Sequence, residues 1–234
     1  MNYRVLLLFI GICCVAACEL SAQSIRFGTK QGVVRSSFLQ VEGDDFSANT
    51  GFELSVLVNK RFKNSPLALQ IETGCRQLGA HTDISTRFGI DRVTRKRNLE
   101  FEHWFVAVMP RVDLLPDSRI NPSLMMGPVA DFRLESRLTD TQLAGNFTDM
   151  QGNPVFVENF FGGSDLNGST EPVMLGFLLA GGVEWNTEPV ILSLEVRYYS
   201  AITNMFTNSI DSQTLEDAKH QYFGLMLGFN FYID

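Results

Sequence analysis

The stretch YFGLMLGFNFYID, residues 222–234, sorts into two unlike faces. Phe223, Leu225, Leu227, Phe229, Phe231 and Ile233 form one face, apolar throughout. Tyr222, Gly224, Met226, Gly228, Asn230 and Tyr232 form the other, which is small, polar or mixed. A period of two sustained over this length is a β-strand with a different environment on each side.

At the opposite end of the chain, Arg4 precedes an apolar run over residues 5–18, followed by the small residues Ser21 and Ala22. That order is a secretory signal peptide, and its core is too short to cross a membrane as a helix. The expected organisation is a signal over residues 1–23 and one β-barrel domain over 24–234. Losing the signal removes one Arg and one Glu, so the formal charge stays at −7. Val15-Ala16-Ala17-Cys18 also fits a loose lipobox with Cys18 as an acylated first residue, but Leu20-Ser21-Ala22-Gln23 reads well as an ordinary cleavage region. Cys13, Cys14 and Cys18 lie in the signal, which leaves Cys75 and excludes an intramolecular disulfide or a thiolate metal cluster. Moderate acidity argues against nucleic acid, which needs a basic stripe.

Eight segments alternate as strands do: residues 25–34, 51–60, 67–77, 98–109, 122–133, 172–185, 190–199 and 222–233. Each is about the length of a tilted strand crossing the hydrocarbon layer. The connections over 36–50, 78–97, 134–171 and 200–221 are long, and those over 61–66, 110–121 and 186–189 are shorter. Long loops outside and short turns inside the envelope are the asymmetry of an outer-membrane barrel. The expected fold is all-β: an eight-stranded antiparallel up-and-down transmembrane β-barrel with a polar packed lumen and both termini periplasmic. The pairs Gly145-Asn146, Gly152-Asn153 and Gly162-Gly163 predict a protruding hairpin or lobe within the longest connection.

Alternation alone leaves open which face looks inward, since a soluble lipocalin-like barrel has the same period with its apolar face inside. Glycine decides between them. Gly28, Gly32, Gly74, Gly127, Gly176 and Gly182 all fall on polar faces. Glycine weakens an exposed strand for no return, whereas in a narrow lumen it makes room for bulky neighbours. The polar faces are therefore expected to point inward and the apolar faces to lipid.

The chain resembles the outer-membrane β-barrel family of Gram-negative bacteria, often described as porin-like or PorT-like. The resemblance is carried in order by IRFGTKQGV (25–33), GFELSVLVNKRF (51–62), LALQIETGCRQLG (67–79), LMMGPVADFRL (124–134), LGFLLAGGVEW (175–185), LEVRYYSAITN (194–204) and the last strand. It covers nearly all of the mature chain. Two features depart from the pattern: the chain ends Tyr232-Ile233-Asp234 instead of on an aromatic, and His103 stands between Phe101 and Phe105 on what should be the lipid face. The resemblance permits an accessory role in a secretion or motility machine.

By strand count the lumen is expected to hold Arg26, Lys30, Arg76, Arg133 and Arg197 against Glu53, Glu72, Asp131, Glu184 and Glu195, with Glu100 and Glu102 candidates to join them. Near balance of sign is what a water-poor interior requires, because a buried unpaired charge is costly. Eight strands leave room for side chains and little else, so the network is expected to plug the barrel and not to conduct. Arg92, Arg95, Lys96 and Arg97 form a basic run expected at the outer rim, where clustered Arg can hold lipopolysaccharide phosphates. His81 and His220 are expected near the same rim and assemble no catalytic site with a serine. Asp83, Asp91, Asp140 and Asp149 lack calcium-loop spacing. No cofactor and no metal are expected.

The expectation is a monomeric, non-enzymatic outer-membrane protein acting through its extracellular loops as a structural or surface-binding barrel, in contact with membrane lipid and lipopolysaccharide and open to an envelope protein partner. The alternatives are the accessory machine subunit, a lipid-modifying enzyme and the secreted soluble barrel.

Overall fold

The computed structural model describes residues 25–39, 46–88, 91–142, 146–148, 151, 154–156, 161–166, 168–187, 189–206 and 218–233. The expected signal over 1–23, with Cys18, lies outside them. Eleven strands follow one another: β1 (Ile25–Leu39), β2 (Ser47–Arg61), β3 (Leu67–Phe88), β4 (Asp91–Asp113), β5 (Ile120–Gln142), β6 (Asn146–Thr148), β7 (Pro154–Phe156), β8 (Phe161–Asp165), β9 (Val173–Asn186), β10 (Val190–Ala201) and β11 (Lys219–Ile233). Eight of them close a barrel in the order β4-β3-β2-β1-β11-β10-β9-β5, with β5 pairing back to β4. Every barrel pairing is antiparallel, and β1 seals the wall against β11 from Ile25↔Ile233 to Leu39↔Lys219. All eight expected strands are present, so no sheet edge is left open around the barrel.

The alternating pattern takes its expected sides. On β11, Phe223, Leu225, Leu227, Phe229 and Phe231 face outward, while Tyr222, Met226 and Asn230 are buried. The other barrel strands also alternate buried and outward positions, which gives an apolar belt broken on β1, where Thr29, Gln31 and Arg35 face outward. Aromatics mark its edges: Trp104 and Phe132 pack as tilted rings 5.1 Å apart, as do Tyr198 and Phe223 at 4.8 Å. Trp185 and Phe231 mark the other edge, near the chain termini. The eight residue steps from Phe223 to Phe231 at a tilt of roughly 40° span about 20 Å of height, close to the apolar band of such barrels.

The wall is taller on one side than the sequence predicts. The strands β3, β4 and β5 run for 22, 23 and 23 residues, against 12 for β10. Most of the loop expected over 78–97 is therefore paired strand, with β3 and β4 in register up to Phe88↔Asp91. The expected loop over 134–171 begins in the same way, as β5 continues to Gln142 and gains β8 as a new neighbour at Arg137↔Asp165. Next, β6 and β7 pair antiparallel within the connection where the glycine-rich pairs predict a hairpin or lobe.

Two irregularities break the wall. The β2–β3 register shifts between Ala48 and Glu53. There Ser36 of β1 reaches past β2: its hydroxyl accepts from Gly79 N at 2.7 Å and donates to Gly79 O at 2.8 Å. Between β4 and β5 the register changes from His103↔Arg133 to Glu102↔Glu135, a bulge that leaves Leu134 as the extra residue. A bulge of one residue exchanges the two faces of the bulged strand. Accordingly the buried positions on β5 move from Val129 and Asp131 to Ser136 and Leu138.

Candidate functional site

The barrel interior is filled in tiers. Nearest the termini, Glu184 accepts from Arg26 at 2.9 Å and from Arg111 at 2.6 Å, and Arg111 also binds Asp113 at 2.7 Å. Above them, Lys30 and Arg197 share three carboxylates. Arg197 pairs with Glu53, with Glu72 at 3.0 Å and with Glu195 at 2.5 Å. Lys30 pairs with Glu195, and with Glu72 at 3.6 Å. Higher still, Arg76 pairs with Asp131 and approaches Glu53 at 3.9 Å. Its guanidinium is enclosed by the rings of Tyr199, Phe105 and Tyr222 at 4.4, 4.7 and 5.0 Å. Tyr222 Oη accepts from Arg76 at 2.7 Å, and Tyr199 Oη donates to Asp131 at 2.5 Å.

Each charge is desolvated, so the tiers persist only because every member meets an opposite charge or a hydroxyl. Glycine provides the space. Gly228 stands against the stem of Lys30, and Gly224 against that of Arg197, at 3.0 Å from where a β-carbon would lie.

Nine of the ten expected lumen residues take part in these ion pairs. Arg133 instead sits half-buried at the β5 bulge, where it donates to the backbone oxygen and hydroxyl of Thr170. Glu100 and Glu102 do not join the network: they point outward, and Glu102 accepts from Gln77 at 3.2 Å. The fourth strand has the opposite parity to that expected from its aromatics. Phe101, His103 and Phe105 are buried in the barrel, and Trp104 faces out. The same parity buries Arg111 and Asp113, both missed because the strand was expected to end before Pro110. Continuing the alternation through Pro110 finds them.

At the end opposite the termini the filling turns apolar. Phe38, Leu99, Phe101, Leu138, Leu166, Met174, Met205, Phe206 and Ala218 form one buried cluster. The described parts of two connections join it, tied by the Thr170↔Phe206 bridge, by Glu171 N to Met205 O at 2.8 Å and by Met205 N to Ala218 O at 3.0 Å. His220 lies inside this tier and not at the rim: it is fully buried, with its ring 5.1 Å from Phe38. His81 is exposed.

Of the basic run, Arg97 is buried on the inner face of β4, which removes it from contact with lipid phosphates. The side chains of Arg92, Arg95 and Lys96 lie outside the described residues, although their backbones continue the β3–β4 ladder. Among the described residues no group of three or more His, Cys, Asp or Glu stands ready to hold a metal ion.

Clefts open on the surface among the described residues. One, of about 210 Å³, lies on the outer flank at the β2–β3 shift, where Asn49, Gln77, Asn98, Glu100 and Glu102 line it. Another, of about 610 Å³, lies at the end near the termini between Arg61, Asp117, Arg119, Asn186, Thr187 and Tyr232.

A family described as outer membrane protein beta-barrel domain matches residues 21–207. No curated protein matches the chain. Among solved structures, Neisserial surface protein A is similar over 88% of this chain and 96% of its own, at 13% identity and a TM-score of 0.43. OprG of Pseudomonas aeruginosa is similar over 90% and 97%, at 10% identity and 0.46. A major outer membrane protein of Thermus thermophilus is similar over 89% and 99%, at 12% identity and 0.44.

Proposed function

The chain belongs to the outer membrane protein β-barrel domain family, and from that premise we propose that it is a closed, non-conducting and non-enzymatic barrel whose binding surface is the tall side of its wall. The observation that carries this reading is the extension of β3, β4 and β5 beyond the belt, with β8 added to the edge of β5. About ten residues more per strand than β10 has, at a tilt of roughly 40°, raise that sheet about 25 Å above the hydrocarbon layer. A paired sheet held out from the membrane is a costly structure for a protein whose work lies inside its barrel.

The interior supports closure. Three charged tiers and an apolar tier follow one another along the axis, and the described parts of two connections join the apolar tier at the end away from the termini. The even number of barrel strands puts both termini on one side. The short turns share that side, so it is the periplasmic one and the tall sheet is extracellular. Arg92, Arg95 and Lys96 lie on that sheet as contacts for lipopolysaccharide phosphates. The buried histidines argue against catalysis, since His220 is fully buried among the described residues and packed against the rings of Phe38 and Phe101.

The test compares the full protein with one in which residues 82–97 are replaced by a two-residue turn. The shortened barrel is expected to fold and to lose the envelope or extracellular partner that the full protein retains on gentle solubilisation. Identical partners on both proteins overturn the reading.

A further inference from the structure

The apolar belt has a polar interruption on β1. Its outward positions run Phe27, Thr29, Gln31, Val33 and Arg35. Gln31 stands opposite Leu227 of β11 and Leu54 of β2. Those two leucines are 53% and 51% exposed, and Leu227 lies midway between the aromatics Phe223 and Phe231. The Gln31 carboxamide therefore projects into hydrocarbon at mid-height. Two outward polar groups elsewhere in the wall have partners: Thr73 Oγ1 donates to Phe105 O at 2.8 Å, and Tyr198 Oη to Gln221 at 3.3 Å. The Gln31 side chain has no hydrogen bond among the described residues, although its backbone is paired on both sides. A polar group in lipid without a partner is costly.

We infer that β1 is the contact face of a homodimer within the membrane, with Gln31 hydrogen-bonded to Gln31 of a second copy. A carboxamide carries both an acceptor and donors, so two facing amides satisfy each other reciprocally. Acyl chains can do neither. An unrelated protein would have to bring a matching group to the same depth, whereas a second copy does so by symmetry.

The geometry allows one such meeting point. A two-fold axis along the membrane normal crosses two strands tilted by roughly 40°, so β1 meets its copy at a single height. Thr29 and Val33 flank that point and are small enough for close approach. Arg35, four residues above, diverges to about 17 Å from its copy, so like charges do not collide. This departs from the monomer expected from the sequence. It rests on the lipid-facing wall and not on the proposed role of the tall sheet.

The full barrel, with Cys75→Ser and a dye at Lys63→Cys in the exposed β2–β3 turn, is reconstituted in phosphatidylcholine vesicles as mixed donor- and acceptor-labelled copies. Energy transfer is expected to rise with the protein-to-lipid ratio. Gln31→Leu is expected to weaken dimerisation on the order of tenfold, the scale of an inter-chain hydrogen bond in a membrane. Heat-modifiable mobility verifies that both proteins are folded. Thr29→Cys is expected to cross-link to its copy with a short bismaleimide, and Leu124→Cys, four strands away on β5, is not. The inference is overturned by absence of transfer in the parent protein, by unchanged association in Gln31→Leu, or by equal cross-linking at both positions.

Discussion

Gly176 lies against the ring of Tyr199: a β-carbon on the glycine would fall 2.5 Å from the ring's Cζ. The ring cannot retreat freely, because it stacks on Tyr222 at 5.1 Å and its hydroxyl is held by Asp131. The glycine on β9 thus sets the position of the aromatic wall that encloses Arg76.

Gly176→Ala is expected to destabilise the folded barrel by about 1–3 kcal/mol through overpacking. In a double-mutant cycle Tyr199→Ala should remove most of that cost, since the two changes share one space. Urea unfolding from lipid vesicles measures both. Strict additivity would contradict the contact.

Removing Arg197 leaves Glu72 and Glu195 with Lys30, and Glu53 with Arg76 at 3.9 Å, as their remaining near cations. Arg197→Met is expected to cost about 3–5 kcal/mol, the scale for breaking a buried pair from one side. Arg137→Ala, at the exposed pair with Glu135, should change stability little, because such pairs are screened and flexible. The same unfolding assay compares them.

Leu227→Arg places a charge on the lipid face near mid-belt and is expected to cost roughly 2–4 kcal/mol. A fluorophore on a cysteine at 225 or 227 should be quenched by a lipid-borne quencher, and one at 226 or 228 should not. A reversed pattern would put the polar face outside.

Planar-bilayer recording is expected to show no stable channel steps. Phe101→Ala with Phe206→Ala thins the apolar tier, yet the charged tiers beneath it should keep the barrel closed. Porin-sized conductance in the parent protein would rule out the packed interior, and conductance only in the double variant would assign closure to the apolar tier.

The eight barrel strands, the apolar belt and nine of the ten expected lumen charges were legible because a strand's period of two needs no partner to be read. Phe101, His103 and Phe105 misled for the same reason. An apolar tier inside the barrel and a lipid-facing wall give one pattern, and only closure says which side of β4 is in. The bulge at Leu134 is equally silent in sequence, yet it exchanges the faces of β5 and takes Arg133 out of the ion-pair column.

By itself the sequence determined which side chains share a face, since that is a property of one extended chain. Which charges meet was decided by the tertiary structure alone. Arg197 and Glu53 lie 144 residues apart, and Arg26 and Glu184 lie 158 apart. Their pairing depends on the tilt and stagger with which the sheet closes, and no local stretch of chain encodes either.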